Sequence, residues 1–147
     1  MNTNLPPMSS SAPAQADLAI PQPAPTILVV DDEEGIRKYF RQILVDVGYE
    51  VLLASNGLTG MAMLRAFEPD LVLMDLVMPE AEGIQSIMDI RREEWQCKII
   101  AISGAFEGNL LGAAKLLGAD ATLAKPVTSD KLVETVRQLL DEPTVNS

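Results

Sequence analysis

The chain has 147 residues, 48% of them hydrophobic, which is enough for one domain with a real core and leaves little room for a second. Its formal net charge of -10 argues against direct binding to a nucleic-acid backbone. No apolar run approaches the roughly 20 residues of a membrane span. The single cysteine, Cys97, fits a reducing cytoplasm, and with no histidine present any chemistry must fall to carboxylates.

The first 25 residues differ in composition from the rest. They hold six of the ten prolines, and Asp17 is their one charged side chain. Such a segment cannot bury enough apolar surface to offset its ordering entropy. The sequence therefore predicts a disordered Pro/Ala/Ser-rich arm over 1–25, a folded domain over 26–142 and a short tail over 143–147.

From Thr26 onward, strand-like apolar runs alternate with stretches of helical spacing. The predicted strands are ILVV (27–30), EVLLAS (50–55), LVLM (71–74), KIIAIS (98–103) and ATLA (121–124). Helices are predicted after each strand, the second over about 57–67 and the fourth over 108–119. The pattern predicts an α/β fold with a doubly wound, five-stranded parallel sheet in the flavodoxin-like order 2-1-3-4-5.

Polar residues stand where four of these strands end. Strand 1 runs into Asp31 and Asp32, and Asp75, Ser103 and Lys125 follow strands 3, 4 and 5. Parallel strands end at one edge of a sheet, so these side chains are expected to meet. Two carboxylates about 4 Å apart repel by roughly 4 kcal/mol at an effective dielectric near 20, so the pocket needs cations. Lys125 is one, and a hard divalent metal such as Mg²⁺ would be the other.

A metal, a lysine and a hydroxyl around one carboxylate suit phosphoryl transfer. That reaction needs its oxygen charges neutralised and an in-line nucleophile held in place. Asp75 lies between apolar segments on both sides and is the best-placed nucleophile. Carboxylates do attack phosphorus, giving an aspartyl phosphate.

The motifs VVDDE, LVLMDLVMPEAEG, AISGA and LAKPV, in this order, resemble the receiver domain of two-component response regulators. The resemblance extends from Thr26 to roughly Glu142. It implies the following roles: Asp75 as phosphoacceptor, Asp32 as a direct Mg²⁺ ligand, Asp31 as its partner acting largely through water, the backbone carbonyl of Val77 as a further metal ligand, Ser103 as a hydrogen-bond partner of the phosphoryl group, and Lys125 as its ion-pair partner.

The resemblance also implies a function in phosphorelay signal transduction. A stand-alone receiver takes its phosphoryl group from the phosphohistidine of a histidine kinase or histidine phosphotransfer protein and responds by altered binding to a protein target. It catalyses only its own phosphorylation and dephosphorylation. Only PTVNS follows the last predicted helix, so the expected output is a binding event.

Other interpretations remain open at this point. Alone, Asp31 to Glu34 would be an acidic helix start, and Ser103 or Lys125 a turn or solvated residue. Thr122 stands where receivers usually carry Tyr or Phe, which leaves room for a constitutive interaction scaffold that does not use phosphorylation. An aspartyl-phosphate phosphohydrolase is less favoured, because such enzymes need an acid at the position of Val77.

Overall fold

A computed structural model describes residues 23–104 and 108–141. Its five strands are β1 (Thr26–Val30), β2 (Glu50–Ala54), β3 (Leu71–Asp75), β4 (Lys98–Ser103) and β5 (Ala121–Ala124). Its five α-helices are α1 (Glu34–Asp46), α2 (Gly57–Phe67), α3 (Glu82–Arg92), α4 (Gly108–Leu117) and α5 (Ser129–Asp141). Most of the predicted arm and the predicted tail lie outside the described residues.

The strands form one parallel sheet in the order β2-β1-β3-β4-β5. This confirms the predicted fold class. The topology switches between β1 and β3, which are neighbours in the sheet although β2 separates them in sequence. In a doubly wound sheet, the crevice at the carboxyl end of this pair is where ligands bind.

Helices cover both faces of the sheet, which explains why the inner strands are apolar throughout. Alternate residues of β1 point to opposite faces: Leu28 and Val30 pack with α2, α3 and α4, whereas Ile27 and Val29 pack with α1 and α5. The face covered by α1 and α5 also buries these helical side chains: Phe40, Leu44, Leu132 and Val136. In the part of the chain that the structure describes, no helix is both long and apolar enough to cross a bilayer.

The predicted element boundaries agree with the structure to within one or two residues at most ends. Strand β2 ends one residue early, because Asn56 accepts a hydrogen bond from the backbone N–H of Thr59 and caps α2. Helix α4 ends at Leu117 because Gly118 adopts a left-handed backbone conformation with φ +126°. Strand β3 includes Asp75, which places that carboxylate on the sheet itself.

The start of α3 packs directly against the end of β3. A Cβ atom on Gly83 would overlap the carbonyl oxygen of Asp75 and lie 2.8 Å from the Cα of Leu76. The preceding Glu82 accepts a hydrogen bond of 2.8 Å from the backbone N–H of Gly57, at the first turn of α2. The backbone that carries Asp75 is thereby fixed by both helices.

We predict that Gly83→Ala destabilises the fold by about 1–3 kcal/mol, because the added methyl group forces α3 away from β3. Gly35→Ala is the matched control, since no described residue beyond its own helix turn comes within 4 Å of the added Cβ atom. As Gly35 is in the first turn of α1, its replacement should be neutral or stabilising by up to about 1 kcal/mol. Denaturant unfolding of both variants checks this, and equal stabilities would contradict it.

Candidate functional site

The structure brings the predicted site residues together at the carboxyl edge of the sheet. Asp31 directly follows β1, Asp75 ends β3, Ser103 ends β4 and Lys125 directly follows β5. Asp31, Asp75 and Ser103 are buried, with exposed fractions of 1%, 2% and 0%. Buried polar groups of this kind require partners, so the arrangement is costly unless something satisfies it.

Backbone pairing continues past the strand ends and fixes the site residues relative to each other. The N–H of Asp31 donates to the carbonyl of Ala54 at 3.1 Å, and the N–H of Lys125 donates to the carbonyl of Ser103 at 2.7 Å. The two ends of this edge are therefore held by the sheet rather than by mobile loops.

The carboxylates of Asp31 and Asp75 are oriented by the same kind of local hydrogen bond. In each, Oδ1 accepts a hydrogen bond from the backbone N–H two residues later, from Glu33 at 2.9 Å and from Val77 at 3.0 Å. These Asx-type bonds fix the side-chain orientation. The side chain of Arg37 adds a 2.8 Å bond to the carbonyl of Asp31.

Lys125 lies between the two buried carboxylates. Its Nζ is 3.5 Å from Oδ2 of Asp31 and 3.5 Å from Oδ1 of Asp75. At an effective dielectric near 20, each contact is an attraction of about 5 kcal/mol before desolvation is subtracted. Burial alone would lower the pKa of Lys125, but Asp75 and Asp31 outweigh it and hold that pKa above its ordinary value. The lysine is therefore a permanent positive charge.

One lysine does not balance this pocket. Carboxylate oxygens of Asp31, Asp32 and Asp75 lie within 4.8 Å of one another, so with Lys125 the group has a formal charge of -2. Burial, the larger effect, and the nearby Asp75 raise the pKa of Asp31, although the Glu33 N–H opposes this. Among the described residues, the buried Oδ2 of Asp31 also finds no hydrogen-bond donor. An all-oxygen pocket with this charge fits Mg²⁺.

Ser103 adds an available hydroxyl to the site. Its Oγ is buried and has no hydrogen-bond partner within the described chain. An unsatisfied buried hydroxyl is uncommon in native proteins and is a candidate for a functional contact. A ligand oxygen entering beside Asp75 would give this group its partner.

The four consecutive acids after β1 form two pairs that lie in different places. Asp31 and Asp32 belong to the carboxylate cluster. Glu33 is the N-cap residue of α1, without a side-chain capping bond, and Glu34 in the first turn pairs with Lys38 at 3.1 Å. Asp31 and Asp32 therefore lie where the predicted cation site would need them, and Glu34 lies in the first turn of α1.

Sequence reasoning missed three supporting residues. Arg37 bonds to Asp31, Gly83 packs against Asp75, and the hydroxyl of Tyr39 donates to the carbonyl of Val127 at 3.0 Å, just after Lys125. A glycine near the start of a helix could have indicated a close backbone approach. Nothing in the local sequence identifies the partners of Arg37 and Tyr39, because they are distant in the chain or use backbone carbonyls.

The sheet order, the acidic cluster at the switch point and the lysine after β5 together define the receiver class of signalling domain. Residues 27–137 match the family model described as the response regulator receiver domain. The chain belongs to this family, as its motifs predicted.

Individual relatives agree with this assignment. The chain is similar to the chemotaxis protein CheY of Bacillus subtilis, with 34% identity over 116 residues that cover 78% of this chain and 97% of that protein. It is 31% identical over 114 residues to the sporulation initiation phosphotransferase F of the same organism, covering 78% and 92%. A crystal structure of a CheY-like receiver domain protein from Methanospirillum hungatei gives a TM-score of 0.73 at 31% identity, covering 80% and 94%.

We predict that Asp31→Asn stabilises the metal-free protein at neutral pH by about 1 kcal/mol. Because the folded-state pKa of Asp31 is raised, its contribution to stability is present below the unfolded-state pKa and is lost as pH rises through the folded-state value. Asparagine removes the negative charge of Asp31 and keeps nearly the same side-chain shape.

Asp46→Asn is the matched control, because within the described parts of the chain this exposed carboxylate bonds only to Gln42 on its own helix. It should change the free energy of unfolding by less than about 0.5 kcal/mol. Denaturant unfolding in a chelating buffer measures both variants. A clear loss of stability in Asp31→Asn would contradict the charge account.

Proposed function

We propose that this receiver accepts a phosphoryl group on Asp75 and signals through altered binding to a protein target. The observation that supports this most strongly is the environment of the Asp75 carboxylate. It is 2% exposed, and its contacts with Val77 and Lys125 both fall on Oδ1. This leaves Oδ2 as the oxygen able to attack.

In the proposed reaction, Oδ2 of Asp75 attacks the phosphorus of a donor phosphohistidine in line with the bond to the imidazole nitrogen. The new bond is an acyl phosphate, the phosphorus–nitrogen bond breaks, and the donor keeps its imidazole. Since this chain has no histidine, the phosphohistidine belongs to another molecule. A histidine kinase or a histidine phosphotransfer protein has the required chemistry.

Lys125 and Ser103 are proposed to hold the transferred group. The ammonium of Lys125 already contacts Asp75 and would pair with the phosphoryl oxygens, while the unpartnered hydroxyl of Ser103 would donate to one of them. Asp31, Asp32, Asp75 and the carbonyl of Val77 would hold Mg²⁺. When bound, the metal supplies positive charge to the transferring oxygens.

The functional unit is proposed to be the domain over residues 26–142, acting in the cytoplasm. One relative's name, sporulation initiation phosphotransferase F, describes phosphoryl transfer for that protein. The proposal gives this chain a comparable role as an acceptor within a relay. It is not proposed to act as an enzyme on an external substrate, because Val77 occupies the position where a phosphohydrolase would need its second acid.

A constitutive interaction scaffold is the second candidate, and Thr122 is the observation that favours it. Thr122 lies on β5 opposite Ala101 and is half-buried. It has no aromatic ring that could reorient between the site and the surface. Comparing partner binding by the phosphorylated and unphosphorylated protein separates the two: equal affinities support the scaffold.

Incubation with acetyl phosphate and Mg²⁺, followed by intact-mass measurement, tests the acceptor. We expect one added phosphoryl group on the wild-type protein, none on Asp75→Asn and one on the control Asp89→Asn, whose carboxylate lies on α3 and pairs with Arg92. If wild type shows no adduct and no binding of beryllofluoride, the acceptor proposal fails. An adduct that persists in Asp75→Asn would show that a residue other than Asp75 accepts the phosphoryl group.

Lys125→Met is expected to have two effects. The free energy of unfolding should fall by about 2–3 kcal/mol, because two buried carboxylates lose their shared cation. Phosphorylation by acetyl phosphate should slow by about 10²-fold.

Lys38→Met is the matched control, because its partner Glu34 is exposed. It should leave both the stability and the phosphorylation rate unchanged. A Lys125→Met variant that is less stable but reacts at the wild-type rate would assign the lysine a structural role only.

A further inference from the structure

A groove lies between α1 and α5, on the face of the sheet opposite α2, α3 and α4. Its volume is about 490 Å³. The apolar part of its lining comes from Ile43, Val47 and Val133, and Val47 is 38% exposed. Ile43 and Val133 are half-buried, Ile43 in part against the core, and none of the three residues takes part in the site described above.

Charges of both signs line the same groove. Besides Asp46 of α1, the charged residues of the lining are Asp130 and Arg137, which both lie on α5 and are exposed. Neither has a hydrogen-bond or ion-pair partner within the described parts of the chain, whereas the neighbouring Lys131 and Glu134 pair with each other at 4.0 Å. The groove therefore presents one free acid and one free base on a single helix.

Their spacing is the informative feature. Asp130 and Arg137 are seven residues apart, so they lie on the same side of α5, about 10 Å apart along its axis. Val133 lies near the midpoint between them. If a second α5 packs antiparallel against this surface, each Asp130 faces the partner's Arg137, and the two Val133 side chains meet near the two-fold axis.

We propose that the groove binds a second copy of this chain in a two-fold symmetric, antiparallel α5 contact. Self-complementary surfaces of this kind are what closed dimers require. The apolar lining from α1 extends the contact beyond the two ion pairs. This inference is independent of phosphorylation and stands apart from the function proposed above.

The contact is expected to be weak and reversible. The groove is lined by seven residues, whereas a standard interface involves about 20–30 residues on each side. The chain's net charge of -10 also opposes self-association at long range. At about 0.15 M salt the Debye length is about 8 Å, so this repulsion is screened while the close pairs persist in part.

Sedimentation equilibrium of the full chain up to about 1 mM tests the proposal. We expect the wild-type mass to rise from monomer toward dimer with concentration. Arg137→Glu and Asp130→Lys should each remain monomeric, because each places like charges opposite one another twice. The control Arg92→Glu makes the same charge change as Arg137→Glu on α3, where its partner is Asp89, and should still dimerise.

The decisive experiment mixes the Asp130→Lys variant with the Arg137→Glu variant. In an antiparallel pair, the lysine introduced by Asp130→Lys faces the glutamate introduced by Arg137→Glu, and the two native residues face each other. The mixture should therefore dimerise although neither variant does alone, which also shows that both are folded. Monomeric wild type throughout, dimers that survive either reversal, or a mixture that stays monomeric would each overturn the proposal.

Discussion

Repulsion among Asp31, Asp32 and Asp75 is the constraint on which the carboxyl edge of this protein depends. Their oxygens lie within 4.8 Å, and two of the three side chains are buried. Lys125, 3.5 Å from Asp31 and from Asp75, offsets part of this repulsion and leaves a formal charge of -2. The fold therefore holds a pocket with an affinity for positive charge, at a cost to its own stability.

The surrounding fold holds the repelling carboxylates in place by fixing both their backbone and their side-chain orientations. Parallel strands buried on both faces deliver the carboxylates to one edge. Gly83 allows α3 to approach the carbonyl of Asp75, and backbone N–H groups of Glu33 and Val77 orient the two buried carboxylates. Preorganised groups of this kind stabilise developing charge without having to reorganise during a reaction.

The sequence predicts much of this because its signals are local and redundant. Near-continuous apolar runs indicate buried parallel strands, and parallel topology alone brings Asp31, Asp75 and Lys125 to one edge. The sequence alone does not show which acids of the run Asp31 to Glu34 belong to the site and which belong to α1, because that depends on where the chain turns in three dimensions. The contact of Arg37 with the Asp31 carbonyl likewise depends on the three-dimensional course of the chain.

The need of the three carboxylates for a cation is tested by measuring the free energy of unfolding as a function of Mg²⁺ concentration. A metal that binds only the folded protein stabilises it by about 1.4 kcal/mol at ten times its dissociation constant. We expect this saturable rise for wild type and its loss in Asp32→Asn, whose carboxylate is the exposed member of the cluster. Equal Mg²⁺ responses in the two proteins, or none in wild type, would contradict it.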